Sequence, residues 1–243
     1  MTDPLHLHPT APLAERVLLP GDPGRALALA QSLLVEPKMF NHHRGLWGYT
    51  GGAPDGAPLT IQSTGMGGPS AAIVFEELID LGVRTAVRVG TCGGLAPELR
   101  LGDLVVAREA IAADGTSQAL GFSGRVPADG RLTAALEATR PAPAGRALRA
   151  GAVVSTDLFY DPDPERGARW VRDGALAVEM ECSTLYAIAA RRGVVAGCVL
   201  AVSDRFSDDG TRERIGDHDL LAAAEALGAL AFAALSADGR SAG

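Results

Sequence analysis

Two carboxylates spaced two residues apart lie directly before an amphipathic run in the stretch 177–192, AVEMECSTLYAIAARR. If residues 177–181 are extended, side chains alternate between faces, so Glu179 and Glu181 point one way and Met180 the other. An ionised carboxylate only accepts hydrogen bonds and can hold the hydroxyls of a vicinal diol, while methionine offers an apolar face to a sugar ring. The alternative is that Glu181 simply complements the positive start of the following helix.

Two further motifs favour an oxyanion. In PGDPGR, residues 20–25, the glycines Gly21 and Gly24 let backbone N–H groups approach a ligand, and a predicted helix begins directly afterwards. Arg25 adds a bidentate donor, and together these features predict an oxyanion site. A plain turn is the competing interpretation. In RVGTCGG, Arg88 lies inside an apolar strand and Thr91 follows a glycine. A buried arginine needs an anionic partner, which is either a ligand or a neighbouring carboxylate.

Two further predicted strand-end loops carry charged residues. Arg44 lies beside two histidines in NHHRG, and Asp204 ends the apolar strand of AVSDRF. A carboxylate at the end of a buried strand is placed like a catalytic group, although such residues also cap turns.

Composition restricts the classes of partner. The chain has 243 residues, 47% of them apolar, and a formal charge of −7 with 22 scattered basic residues. This favours a small-molecule partner over a nucleic acid. We expect no membrane partner and a cytoplasmic location, because no apolar run of about 18 residues and no signal-like amino terminus is evident. The three cysteines lack metal-ligand spacing, so we expect small buried hydrophobes and no metal site.

Short β-rich runs alternate with helical ones, which predicts a single α/β domain over 1–243 with a largely parallel or mixed sheet and ligand loops at strand ends. The runs 51–58 and 141–145 are expected as surface turns, Ser70 as a helix cap, and the tail 237–243 as frayed. The predicted strands are 16–19, 59–63, 86–89, 104–106, 152–155, 177–180 and 199–203, and the predicted helices are 26–34, 71–81, 130–139, 164–173, 183–192 and 218–235.

Taken together, these motifs resemble the nucleoside phosphorylase family, specifically the small hexameric bacterial purine nucleoside phosphorylases and the archaeal methylthioadenosine phosphorylases. The motifs keep family order and spacing over almost the whole chain: ERVLLPGDPGRA, NHHRGLWGYTG, TGMGGPSAAIVFEEL, VRVGTCGG, STDLFY, VEMEC and VSD. The resemblance implies a mixed, twisted central sheet surrounded by helices.

The resemblance also implies roles for individual positions. Phosphate would be bound by Gly21, Arg25, Arg88 and Thr91, with Arg44 reaching the phosphate of a neighbouring subunit. The ribose would be held by Met180 and Glu181, and by a histidine from the neighbour that matches His6 best, with His8 as the alternative. The base would contact Phe159 and Val178 and face Asp204; Met66, Glu179 and Ser203 complete the predicted nucleoside site.

The implied reaction is phosphorolysis of purine nucleosides, with inorganic phosphate as co-substrate and no cofactor. The oxocarbenium-like transition state is stabilised by phosphate, while Asp204, if protonated, donates to the leaving base. A carboxyl group near neutrality needs burial, neighbouring charges or an arginine-triggered transfer to supply that proton. For this arginine we expect Arg214 first and Arg212 second.

Shared sites predict a homo-oligomer, at least a dimer and, as the family implies, a hexamer built from three dimers. Three alternatives remain beside the purine enzyme. Uridine or methylthioadenosine phosphorylases share the phosphate loops, but the uridine enzymes have a Gln-x-Arg element where this chain has DPDPERGARW. Nucleosidases use water and do not need Arg25, Arg44 and Arg88. A non-enzymatic binding module would not need Asp204 and Glu181.

Overall fold

The structure of the chain is a computed structural model, and it describes residues 4–139, 146–206 and 211–240. The turn expected at 141–145 and the last residues of the expected frayed tail, 241–243, lie outside the described residues.

One mixed sheet runs through the molecule, and its strands follow the spatial order β11-β10-β6-β8-β9-β5-β1-β4-β3-β2, with β7 paired to β6 and β10 also paired to β5. The strands are β1 Arg16–Leu19, β2 Val35–Asn41, β3 Gly48–Gly52, β4 Pro58–Gln62, β5 Thr85–Gly94, β6 Leu104–Ala113, β7 Gly124–Pro127, β8 Leu148–Thr156, β9 Ala175–Glu179, β10 Val195–Phe206 and β11 Arg212–Arg214.

Helices cover both faces of this sheet, which confirms the predicted α/β class. They are α1 Pro23–Leu33, α2 Gly68–Asp80, α3 Gly115–Ala119, α4 Gly130–Ala138, α5 Arg166–Arg172, α6 Cys182–Arg192 and α7 Asp217–Arg240, with a 3₁₀ turn at His43–Gly45. Strand β10 separates two apolar cores because its side chains alternate: Leu200 and Val202 pack with α2 and α6, whereas Val199 and Ala201 pack with α1, α4 and α7.

Several elements differ from the sequence-based prediction. Strand β5 continues through GTCGG to Gly94, because its end pairs with both β9 and β10. Strands β2, β3, β7 and β11 and helix α3 were not predicted. Strand β2 is mostly exposed and contains Pro37, so it lacks an apolar pattern. The turn expected at 51–58 is partly wrong, because Gly51 and Gly52 belong to β3.

The expected cap of α2 is also wrong. Gly67 occupies the cap position, and Ser70 lies inside the helix, where its hydroxyl donates to the Thr64 carbonyl at 2.6 Å. The hydroxyl therefore ties the first turn of α2 to the loop after β4.

The last helix corrects two expectations about the carboxyl-terminal part. Helix α7 extends to Arg240, so residues 237–240 are helical rather than frayed. It is also long and apolar enough to span a membrane, contrary to the sequence-based expectation that no such run exists, but half of its apolar window is buried inside the protein. Leu227, Leu230 and Ala231 pack in the core, so α7 has the character of a core helix of the fold.

Candidate active site

A cavity of about 830 Å³ opens where the carboxyl ends of β1, β5, β9 and β10 meet. The parallel pairing of β5 with both β1 and β10 brings the loops that follow these strands to the same edge. Most of the residues predicted from sequence line this cavity: Gly21, Arg25, Met66, Arg88, Thr91, Phe159, Val178, Glu179, Met180, Glu181, Ser203, Asp204, Arg212 and Arg214.

Arg88 forms the buried floor of the cavity. Its side chain is 5% exposed, its Nε donates to Glu179 Oε2 at 3.2 Å, and its Nη2 donates to Glu181 Oε2. Burial alone would lower the pKa of Arg88, but the charges of Glu181 and Glu179 outweigh it and raise this pKa above its usual value. The third nitrogen, Nη1, is buried and has no hydrogen-bond partner among the described residues.

The guanidinium group of Arg25 borders the same part of the cavity as that of Arg88. Its Nη1 is likewise buried without a partner in the described part of the chain. A Cβ placed on Gly21 would lie 3.8 Å from Arg25 Nη2 and 4.0 Å from Arg88 Nη1, so both guanidinium groups border the space beside this glycine. Burial and the charge of Arg88 lower the pKa of Arg25. Two desolvated cations with unused donors form a site that an anion would stabilise.

Gly90 permits this position of Arg88. A Cβ at residue 90 would lie 2.8 Å from Arg88 Nη2 and 2.9 Å from its Cζ, closer than such atoms approach one another. Because the guanidinium is also held by two carboxylates, it cannot move aside freely. A residue without a side chain is therefore needed at position 90, so that the arginine can pack against the backbone there.

Glu181 contacts Arg88 and lines the same cavity. It is the cap residue of α6, and its Oε1 accepts from the Gly67 amide at 2.6 Å while Oε2 accepts from Arg88. Burial raises the pKa of Glu181, and the nearby Glu179 adds to this effect against the opposing influence of Arg88. Met180 borders the same cavity.

The structure corrects the role expected for Glu179. Its side chain is 0% exposed, although the residue borders the cavity. Its oxygens accept from Ser155 Oγ, from Arg88 Nε, and from the amides of Glu181 and Cys182 at 2.8 and 2.9 Å. Because these donors already occupy the carboxylate, Glu179 does not offer it to a nucleoside.

Asp204 also lines the cavity, at an irregularity in β10. The pairing of β10 with β5 shifts between Val202 and Asp204, so Ser203 is an extra residue in the strand. Such bulges re-aim neighbouring side chains and occur often beside active sites. The Asp204 carboxylate, 12% exposed, accepts from Ser203 Oγ at 2.9 Å.

The arginine that contacts Asp204 is Arg212, the second of the two expected candidates. Its Nη2 and Nε lie 2.6 and 3.0 Å from Asp204 Oδ1. Arg214 is the cross-strand neighbour of Asp204 in the β10–β11 pairing and is exposed, whereas Arg212 reaches Asp204 diagonally. This contact favours Arg212 as the partner of Asp204, while Arg214 also borders the cavity and its preferred catalytic role stays a prediction. Arg212 also lies 4.3 Å above the Phe159 ring, which links the acid to an aromatic wall.

The remaining wall of the cavity is apolar and partly open. Phe159 is 51% exposed and Met66 86% exposed, and Val178 completes this side. Sequence reasoning missed Leu158, Leu220 and Leu221, which also line the cavity. Leu158 stands beside Phe159 in the STDLFY motif, but the two leucines of α7 are distant in sequence from every motif, so no local signal identifies them.

Arg44 and His6 do not line this cavity. Arg44 is exposed and adopts a left-handed backbone conformation with φ 57°. His6 lies in the amino-terminal segment, where its Nδ1 is 2.7 Å from Glu77 Oε1 and the amides of residues 5–7 also donate to Glu77. The alternative histidine, His8, instead stacks on His43 at 3.8 Å between ring centroids.

Comparison with known proteins identifies the class. The phosphorylase superfamily model matches residues 15–236, so the chain belongs to this superfamily.

Similar curated proteins agree with that assignment. The chain is 41% identical over 204 residues to a DeoD-type purine nucleoside phosphorylase of Clostridium beijerinckii, covering 82% of this chain and 84% of the relative. It is 42% identical over 203 residues to the protein of that name from Geobacillus kaustophilus, with 81% and 84% covered. The protein of that name from Caldanaerobacter subterraneus subsp. tengcongensis is 41% identical over 198 residues, with 79% and 83% covered.

The hydrogen bonds to Glu77 should protect the amides of the amino-terminal segment from exchange. Burial would raise the pKa of Glu77, but the hydrogen bonds from His6 and the backbone amides outweigh it and hold this pKa below its usual 4.5. We expect Glu77→Gln to accelerate amide hydrogen exchange at residues 5–7 at neutral pH. Because the folded pKa is lowered, the protection is complete above about 4.5 and fades as pH falls through the folded value.

The matched control is Glu76→Gln, because Glu76 pairs with Arg192 on the surface instead. Exchange at residues 5–7 should be unchanged in that variant. Equal exchange in wild type and Glu77→Gln would refute the anchoring role of Glu77.

Proposed function

We propose that this chain is a purine nucleoside phosphorylase that converts a purine nucleoside and inorganic phosphate into the free base and a pentose 1-phosphate, with the whole of 1–243 acting as one catalytic domain. One observation carries the proposal: Arg25 and Arg88 each have a buried guanidinium nitrogen without a partner among the described residues, and both line the same cavity as Glu181 and the Asp204–Arg212 pair. The names of the similar proteins support it.

Phosphate would bind between Arg25 and Arg88, beside Gly21 and Thr91. A phosphate oxygen then attacks the anomeric carbon while the bond to the purine breaks, and its electron pair goes to the base. Positive charge develops on the sugar, and the bound phosphate stabilises it electrostatically. Glu181 accepts hydrogen bonds from the ribose hydroxyls and Met180 packs on the sugar ring.

Asp204 would act at the base. In its protonated form it donates to the purine ring, and the departing base takes the proton. Arg212 favours this transfer because a nearby positive charge stabilises the carboxylate that remains. General-acid assistance of this kind contributes about 10²- to 10⁴-fold to rate. Phe159 and Val178 would supply the apolar contacts to the base.

Arg44 and His6 are proposed to complete the site of a neighbouring copy. Neither residue lines the cavity of its own chain, and the left-handed conformation of Arg44 is of the kind often retained at functional positions. The protein would then be at least a dimer, and we propose a hexamer of three dimers. We also propose that it acts in the cytoplasm and needs no cofactor beyond phosphate.

Phosphate dependence tests the function directly. Inosine, adenosine, 5′-methylthioadenosine and uridine are each incubated with the protein, with and without phosphate, and free base is measured. We expect base release from purine nucleosides only when phosphate is present. Release without phosphate would indicate a nucleosidase, preference for uridine a pyrimidine enzyme, and no release a binding module.

The acid role of Asp204 predicts a difference between bases. Asparagine cannot supply a proton, but its amide can still donate a hydrogen bond to a 6-oxo group. We therefore expect Asp204→Asn to lose far more kcat/KM on adenosine than on inosine at saturating phosphate. An equal loss on both nucleosides would contradict discrimination at the 6-position.

The shared site predicts complementation between two inactive variants. In the proposed shared site, Asp204 comes from the subunit that holds the cavity and Arg44 comes from its neighbour. A mixed oligomer of Arg44→Ala and Asp204→Ala subunits therefore contains some sites in which both residues are intact. We expect activity to return when the two variants are mixed after reversible dissociation. Absence of recovery, with subunit exchange verified by mass spectrometry, would show that Arg44 does not act across subunits.

A further inference from the structure

The buried carboxylate of Glu179 contacts both the proposed phosphate arginine and the start of the helix that carries the proposed sugar ligand. It accepts from Arg88 Nε at 3.2 Å and from the Glu181 amide at 2.8 Å. It also accepts hydrogen bonds from the Cys182 amide and the Ser155 hydroxyl, and its side chain is 0% exposed. The group is therefore fixed from several directions and closed to substrate.

From this arrangement we propose that Glu179 is a positioning residue that holds Arg88 in the geometry needed to bind phosphate. The inference rests on the proposed function, because it assumes that Arg88 meets the phosphate. Glu179 would touch neither substrate. Its effect would pass through the Nε contact to the guanidinium group, and through the amide contact to the backbone of Glu181.

The pattern of donors on Arg88 carries the inference. Arg88 donates a hydrogen bond from Nε to Glu179 and another from Nη2 to Glu181. Its third nitrogen, Nη1, is buried without a partner among the described residues. Without Glu179, the guanidinium can pair through two nitrogens with Glu181, because arginine and carboxylate favour such bidentate contacts. That pairing would turn the guanidinium away from the anion. Glu179 prevents it by fixing the Nε side.

A second buried carboxylate provides a matched control. Asp114 is fully buried and also holds the start of α6, accepting from Ser183 Oγ at 2.6 Å and from Thr184 Oγ1 at 3.1 Å. It has no contact with Arg88 among the described hydrogen bonds and ion pairs. Glu179→Gln and Asp114→Asn therefore make the same chemical change at two supports of one helix, only one of which touches the arginine.

The test measures binding of inorganic phosphate by calorimetry to the oligomeric wild type, Glu179→Gln and Asp114→Asn. We expect Glu179→Gln to raise the phosphate Kd about 10- to 100-fold, the range for a lost hydrogen bond to a charged group. Asp114→Asn should lower the thermal midpoint and leave the phosphate Kd unchanged. In steady state, Glu179→Gln should raise KM for phosphate more than KM for inosine.

Each outcome decides the inference. If Glu179→Gln binds phosphate like wild type, or if Asp114→Asn weakens binding equally, Glu179 only supports the helix and the proposal is wrong. If wild type itself does not bind phosphate, the proposed function fails and the inference with it. If Glu179→Gln does not fold, Glu179→Asp, which keeps the charge but withdraws it from Nε, must show the same selective loss of phosphate affinity.

Discussion

The structure depends most on the burial of one cation, Arg88, between two carboxylates. A buried charge is costly unless it is paired and hydrogen-bonded, so Glu179 and Glu181 are required for the strand to carry an arginine at all. The same requirement explains why Gly90 lacks a side chain and why β9 ends in a glutamate that also receives the first amides of α6. The pairing leaves Nη1 of Arg88 buried without a partner among the described residues, and in the proposed function this donor would meet the phosphate.

The sheet sets the positions of the other groups relative to this cation. Strand β5 pairs with β1 on one side and with β10 on the other, so the turn with Gly21 and the end of β10 with Asp204 lie on either side of the last part of β5, which follows Arg88. A regular β10 would continue to alternate its side chains, but the additional residue Ser203 changes the direction of the strand just before Asp204. The cavity is thus lined both by Arg25 and Arg88 and by Asp204, and Glu181 and Met180 border it as well.

Much of this arrangement could be predicted from sequence, because the glycine-rich turns and the charged residues at strand ends carry local signals. Gly21, Arg25, Arg88 and Asp204 were found in this way, and they do meet in one cavity. The contacts of Glu179 could not be predicted, and the sequence left Arg212 only as the second candidate for the arginine beside Asp204. Whether a buried glutamate faces substrate or an arginine depends on which donors surround it, and the choice between Arg212 and Arg214 depends on a diagonal contact across a short strand pair.

The groups that line the cavity differ in how deeply they are buried. Arg88 and Glu179 are buried at the inner side of the cavity, whereas Arg212, on short β11, is only partly buried. Phe159 is half exposed and stacks beneath that arginine. In the proposed reaction, phosphate therefore meets preorganised charges, while the acid and the base pocket lie on elements with fewer constraints. The ribose would contact the buried ion pairs through Glu181, because that carboxylate also pairs with Arg88.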